Sequence, residues 1–69
     1  MEISARNALK GTVQSIVPGM VNTEVVIEIA PGLSITSVIT KSSADRLGLA
    51  VGSVAYAVVK SSDVMVAVD

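Results

Sequence analysis

Between Met20 and Thr40 the chain alternates with a period of two, and that pattern restricts its fold more than any other feature. Val21, Thr23, Val25, Ile27 and Ile29 face one way, and Asn22, Glu24, Val26 and Glu28 the other. Ala30, Pro31 and Gly32 reverse the chain, after which Leu33, Ile35, Ser37 and Ile39 alternate against Ser34, Thr36, Val38 and Thr40. One-sided alternation across a tight reversal predicts antiparallel strands with one face buried and one wet. A first strand is expected over Asn7–Val17, with Leu9, Gly11, Val13 and Val17 on one side, stopped by Pro18 and Gly19. From Lys41 to Leu49 the period changes: Ala44, Leu47 and Leu49 recur at helical spacing, Thr40 or Ser42 can cap the start, and Gly48 suits the end. Val54–Lys60 and Val64–Val68 alternate again, separated by Ser61, Ser62 and Asp63. The predicted architecture is all-β, a five-stranded OB-fold-like barrel with one short helix between strands 3 and 4.

Such a barrel is small. The 69 residues make one domain, residues 1–69, and a lone core below roughly 70 to 80 residues rarely supplies more than ~3 to 5 kcal/mol. The absence of Cys and His removes disulfides and a structural zinc site as reinforcement, leaving ligand binding and oligomerisation. Apolar residues make up 51% of the chain, yet Tyr56 is the single aromatic, so Val, Ile, Ala and Leu carry the hydrophobic mass. That composition favours strands and close contacts between copies. The longest charge-free stretches, Gly11–Thr23 and Leu47–Val59, have 13 residues each, too few to span a bilayer as a helix. No membrane association is expected. Without a basic segment followed by an apolar run at the start, a cytoplasmic location is expected.

Most chemistry is excluded by residue type. Lacking His and Cys, the chain has neither the usual general base nor a thiolate nor transition-metal ligands, so it is not expected to be an enzyme or to hold a bare metal cation or an organic cofactor. Glu24 and Glu28 share a strand face but stand ~13 Å apart, too far for a joint acid/base site. Barrels that bind single-stranded nucleic acid use stacked aromatics along a cationic groove, whereas this chain has one aromatic and a net charge of -1. What remains is a set of hydrogen-bond donors at the strand ends: Ser4, Arg6 and Asn7 before the first strand, Thr40 after the third, and Lys60, Ser61 and Ser62 after the fourth. Ser4–Lys10 and Lys60–Ser62 contain no carboxylate. A small oxyanion requires donors without acceptors, which hydroxyls, amides and one or two cations provide. The same residues also read as an ordinary strand start and a solvated polar turn.

Ile3-Ser4-Ala5-Arg6-Asn7-Ala8-Leu9-Lys10-Gly11 resembles the opening of the molbindins, small molybdate-binding proteins whose module recurs in molybdate-responsive regulators and transporter ATPases. The likeness continues through Glu24–Ile29, Ile35–Thr40, Leu47-Gly48-Leu49 and Ala57–Met65, and so covers essentially the whole chain. It implies an OB-like barrel with two kinds of oxyanion site, both between subunits of a homo-hexamer built as a trimer of dimers. For the first kind the matching positions are Ser4, Arg6 and Asn7 from one segment with Thr40, Lys60 and Ser61 from another. The second, near a threefold axis and formed largely by backbone amides, is expected at Gly19, Met20 and Val21 with Ser37. The resemblance further implies molybdate as the bound ligand, tungstate as an equally acceptable one, and a role in molybdenum storage and homeostasis. A molybdate-sensing regulatory interaction module and a nucleic-acid-binding barrel are the rival readings.

Overall fold

β1 (Asn7–Pro18) organises the molecule by pairing with two different strands along its length. Its first half, Asn7–Thr12, runs antiparallel to β4 (Val54–Val59), and from Thr12 to Pro18 it runs antiparallel to β2 (Asn22–Ala30). β2 pairs in turn with β3 (Leu33–Thr40), giving one antiparallel sheet of order β3-β2-β1-β4 that curls into a half-barrel. The computed structural model describes residues 1–69. Two local features allow β1 to bend. Gly11 sits where the strand leaves β4 for β2, and a Cβ there would lie 2.5 Å from the Glu28 carbonyl oxygen. A bulge between Val13 and Ser15 then shifts the register.

That bulge alters the expected inward face. Val13 is buried as anticipated, but beyond the bulge Ile16 packs on the core, while Val17 is 58% exposed. An extra residue reverses the phase of a period-two pattern, and no hydropathy pattern in β1 marks the insertion. The buried cluster is Val13, Val25, Ile27 and Ala57, with Ile16, Ile29, Ile35, Ile39, Leu49 and Ala55 packed around it. Thr23 is also buried, at 2% exposure, and its hydroxyl has no hydrogen-bond partner. A buried hydroxyl without a partner costs about 1 to 3 kcal/mol. Thr23→Val, nearly isosteric, is therefore expected to raise stability by ~1 kcal/mol, read as a higher urea midpoint at fixed protein concentration. A lower midpoint would show that the hydroxyl is satisfied.

α1 (Lys41–Leu47) follows β3 directly. Thr40 caps it, accepting from the Ser43 N–H at 3.1 Å, and Gly48 ends it in the left-handed conformation at φ 62°. The helix ends at Leu47 with Gly48 as the expected cap, so Leu49 lies beyond it. Gly52 and Ser53 bond back to Val13, which returns the chain to β1 and starts β4.

The expected fifth strand is not formed. After β4, Ser61–Asp63 makes a single 3-10 turn, and Val64–Val68 carries no ladder pairing and is exposed throughout. The segment has strand composition, but a strand requires a partner edge, and within its own chain Val64–Val68 pairs with none. The barrel therefore remains open between β3 and β4.

Candidate functional site

Pairing of Asn7 with Val59 brings two polar segments together. The residues just before β1 and just after β4 leave the sheet at the same end, so Ser4–Arg6 meets Lys60–Ser62 around an open cavity of about 440 Å³. Ile3, Ser4, Ala5, Arg6, Lys60, Ser61 and Ser62 line it. No carboxylate is among them. Arg6 and Lys60 are both without an ion-pair partner, the molecule's one salt bridge being Lys41–Asp45 at 3.6 Å on the helix. Ser4, Ser61 and Ser62 make no side-chain hydrogen bond within the chain, unlike Thr40, Ser42, Ser43 and Ser53, whose hydroxyls are engaged locally. Two cations without ion-pair partners, three free hydroxyls and no carboxylate make a concave set of donors of the kind that an anion rich in acceptor oxygens requires. Elsewhere, no group of three or more Asp or Glu side chains is placed to hold a metal ion.

The other expected site residues lie apart from this cavity. Asn7 is the first residue of β1, next to the lining but not part of it. Thr40 stands at the far end of the sheet, paired with Asn22, with the 12-residue length of β1 between it and Arg6. Its hydroxyl serves α1, also donating to Ser43 Oγ at 2.8 Å. A single chain thus does not bring Thr40 to Lys60. Gly19, Met20 and Val21 form the β1–β2 turn, with the Gly19 N–H donating to the Asn22 carbonyl at 2.7 Å and the Val21 carbonyl accepting from Lys41 at 2.8 Å. Met20 is 97% exposed. Ser37 lines apolar grooves with Ile27, Tyr56 and Val58, in which the turn takes no part.

The free donors and their carboxylate-free wall are matched by relatedness. The TOBE domain family matches residues 3–66, nearly the entire chain. This chain belongs to the TOBE domain family. It is 53% identical, over 66 residues, to molybdenum-pterin-binding protein 2 of Clostridium pasteurianum, covering 96% of this chain and 97% of that protein. Its fold superposes with TM-score 0.91 on MopII from Clostridium pasteurianum, at 51% identity and covering 97% of this chain and 100% of the other. A molybdate-bound structure of the cytoplasmic molybdate-binding protein ModG aligns with TM-score 0.81 and 47% identity, covering 87% of this chain and 43% of that one. The TOBE fold of this chain is thus shared with proteins described as binding molybdate or molybdenum-pterin. Ile3, Ala5 and Ser62 line the cavity beyond the positions matched to the first oxyanion site, although Ser62 already stood among the donors expected after the fourth strand. Ser62 was legible as the next hydroxyl in the Lys60-Ser61-Ser62 run, while Ile3 contributes only an apolar wall and leaves no chemical signal.

Proposed function

We propose that this protein binds molybdate at the Ser4–Arg6/Lys60–Ser62 cavity and holds it as a cytoplasmic molybdenum store. The observation that carries this reading is the pair of unpaired cations, Arg6 and Lys60, beside three free hydroxyls in a wall without carboxylates. Arg6 and Lys60 supply the charge, and Ser4 and Ser61 donate to the oxygens, with Asn7 adding its backbone N–H at the start of β1. Thr40 completes the site from a neighbouring copy in a homo-hexamer, a trimer of dimers, since its own chain holds it at the opposite end of the sheet. A second, backbone-lined site at Gly19–Val21 with Ser37 belongs to the same assembly. Only six of 69 residues are buried in the single chain, which supports reinforcement by neighbouring copies.

Charge-assisted hydrogen bonds contribute about 1.5 to 3 kcal/mol each, so five or six, less immobilisation and desolvation, reach a binding free energy of about -8 kcal/mol, a micromolar Kd. Tungstate, a tetrahedral dianion of nearly the same size, fits the same donors, whereas the smaller sulfate leaves gaps. Titration calorimetry is expected to show heat for molybdate and tungstate, weaker heat for sulfate and none for a single-stranded oligonucleotide. Heat from the oligonucleotide alone would overturn the reading. At a hundredfold excess over Kd, molybdate should add ~2.7 kcal/mol of stability for one site.

A further inference from the structure

The β1–β2 turn is fixed at both ends and leaves its middle unbonded. The Gly19 N–H donates to the Asn22 carbonyl at 2.7 Å, and the Val21 carbonyl accepts from the Lys41 N–H at 2.8 Å. The N–H groups of Met20 and Val21, by contrast, donate to no backbone carbonyl and to no side chain within the chain. Two adjacent free donors in a turn stapled on both sides suit an acceptor that comes from outside. The Met20 side chain springs from the backbone between those two N–H groups, and at 97% it is the most exposed of the large apolar residues. Its thioether is only a weak acceptor, so the two donors stay open to an anion.

Oxidation changes that. We propose that Met20 is a modification site for hydrogen peroxide, and that its sulfoxide takes the Met20 and Val21 donors for itself and so weakens anion binding at the turn. The effect on the anion rests on the second-site reading above; the capture of the donors does not. In the reaction the thioether sulfur gives an electron pair to one oxygen of the peroxide, the O–O bond breaks and an S–O bond forms. The departing hydroxide takes the proton of the transferred hydroxyl and leaves as water, so sulfur is oxidised and the peroxide reduced by two electrons. The new oxygen is a polar acceptor on a flexible, unbranched stem that can fold back on its own backbone. Being tethered, it meets the two donors at an effective concentration far above that of an ion binding from micromolar solution. Its partial negative charge also repels a dianion approaching the same amides. Any path that lets a tetrahedral dianion reach the turn admits the smaller peroxide. Met1 and Met65 are 76% and 94% exposed and oxidise as well, but neither belongs to the turn. Sulfoxide reduction restores the thioether, which makes the change reversible.

The chain has no Cys, so peroxide acts on its methionines without competing thiol oxidation. Wild type and Met20→Leu are treated with hydrogen peroxide until peptide mass mapping shows every methionine converted, and each is compared with its own untreated sample. Two measurements follow: calorimetric titration with sodium molybdate, and amide hydrogen exchange at Met20 and Val21 by NMR without anion. The second site is recognised as the class of binding that Lys60→Ala leaves in place. Peroxide is expected to weaken that class about fivefold in wild type, the worth of one net hydrogen bond, and to slow exchange of the two amides by a similar factor. Met20→Leu should show no such change on treatment, although Met1 and Met65 are oxidised in it. An equal loss in Met20→Leu would place the effect at the other methionines and overturn the proposal, as would full oxidation of Met20 with unchanged molybdate affinity. Unchanged amide exchange overturns the capture of the donors. A single class of molybdate site in untreated protein, abolished by Lys60→Ala, overturns the second-site reading and the anion effect with it, while the exchange rates still decide whether the sulfoxide holds the turn.

Discussion

Lys60→Ala is expected to weaken molybdate binding about thirtyfold, whereas Arg46→Ala changes it by less than about twofold. Both substitutions remove one positive charge, and neither side chain takes part in a salt bridge. They differ in place. Lys60 lines the cavity together with Arg6, so on the proposed reading its loss leaves a bound dianion with one cation. Removing one member of such a charge pair costs about 2 kcal/mol or more. Arg46 occupies the last turn of α1, beyond β3, and touches no part of the cavity. Calorimetry on the two variants checks this directly. Equal weakening would assign binding to the general field of the protein, and unchanged affinity of Lys60→Ala would move the site elsewhere.

Gly11→Ala should destabilise the fold by ~2 to 3 kcal/mol, comparable with all that so small a core supplies. The added Cβ would stand 2.5 Å from the Glu28 carbonyl oxygen, 2.7 Å from Ile27 Cγ2 and 2.9 Å from Ile29 Cδ1. The nearest obstacle is backbone of the adjoining strand, which cannot rotate aside, so β1 would have to separate from β2 where it bends. Gly48→Ala serves as contrast. Open space surrounds that position, and the penalty is the left-handed backbone alone, about 1 kcal/mol. Urea unfolding at matched protein concentration should rank wild type above Gly48→Ala, and Gly48→Ala above Gly11→Ala. Equal midpoints for wild type and Gly11→Ala would mean that the strands part there at no penalty.

The four strands, the helix with its Thr40 and Gly48 caps, and the inward faces of β2 and β3 were all readable from residue order. Each depends on neighbours within a few positions: a period-two pattern, a hydroxyl three residues before an amide, a glycine at a left-handed turn. The donor chemistry of Ser4, Arg6, Lys60 and Ser61 was legible for the same reason, since residue type alone decides what can donate and what carries charge. Tertiary structure alone decided three matters. The bulge after Val13 exchanged Ile16 for Val17 in the core, because a one-residue shift is set by the partner strand and leaves no mark in the bulged one. The contact of Ser4–Arg6 with Lys60–Ser62, and the separation of Thr40 from both, came from the β1/β4 register, a pairing between segments some fifty residues apart. The fate of Val64–Val68 was equally beyond the sequence. Its alternation establishes that it can be a strand, but a strand exists only where it pairs with an edge, and after the turn at Ser61–Asp63 this one pairs with no edge of its own chain.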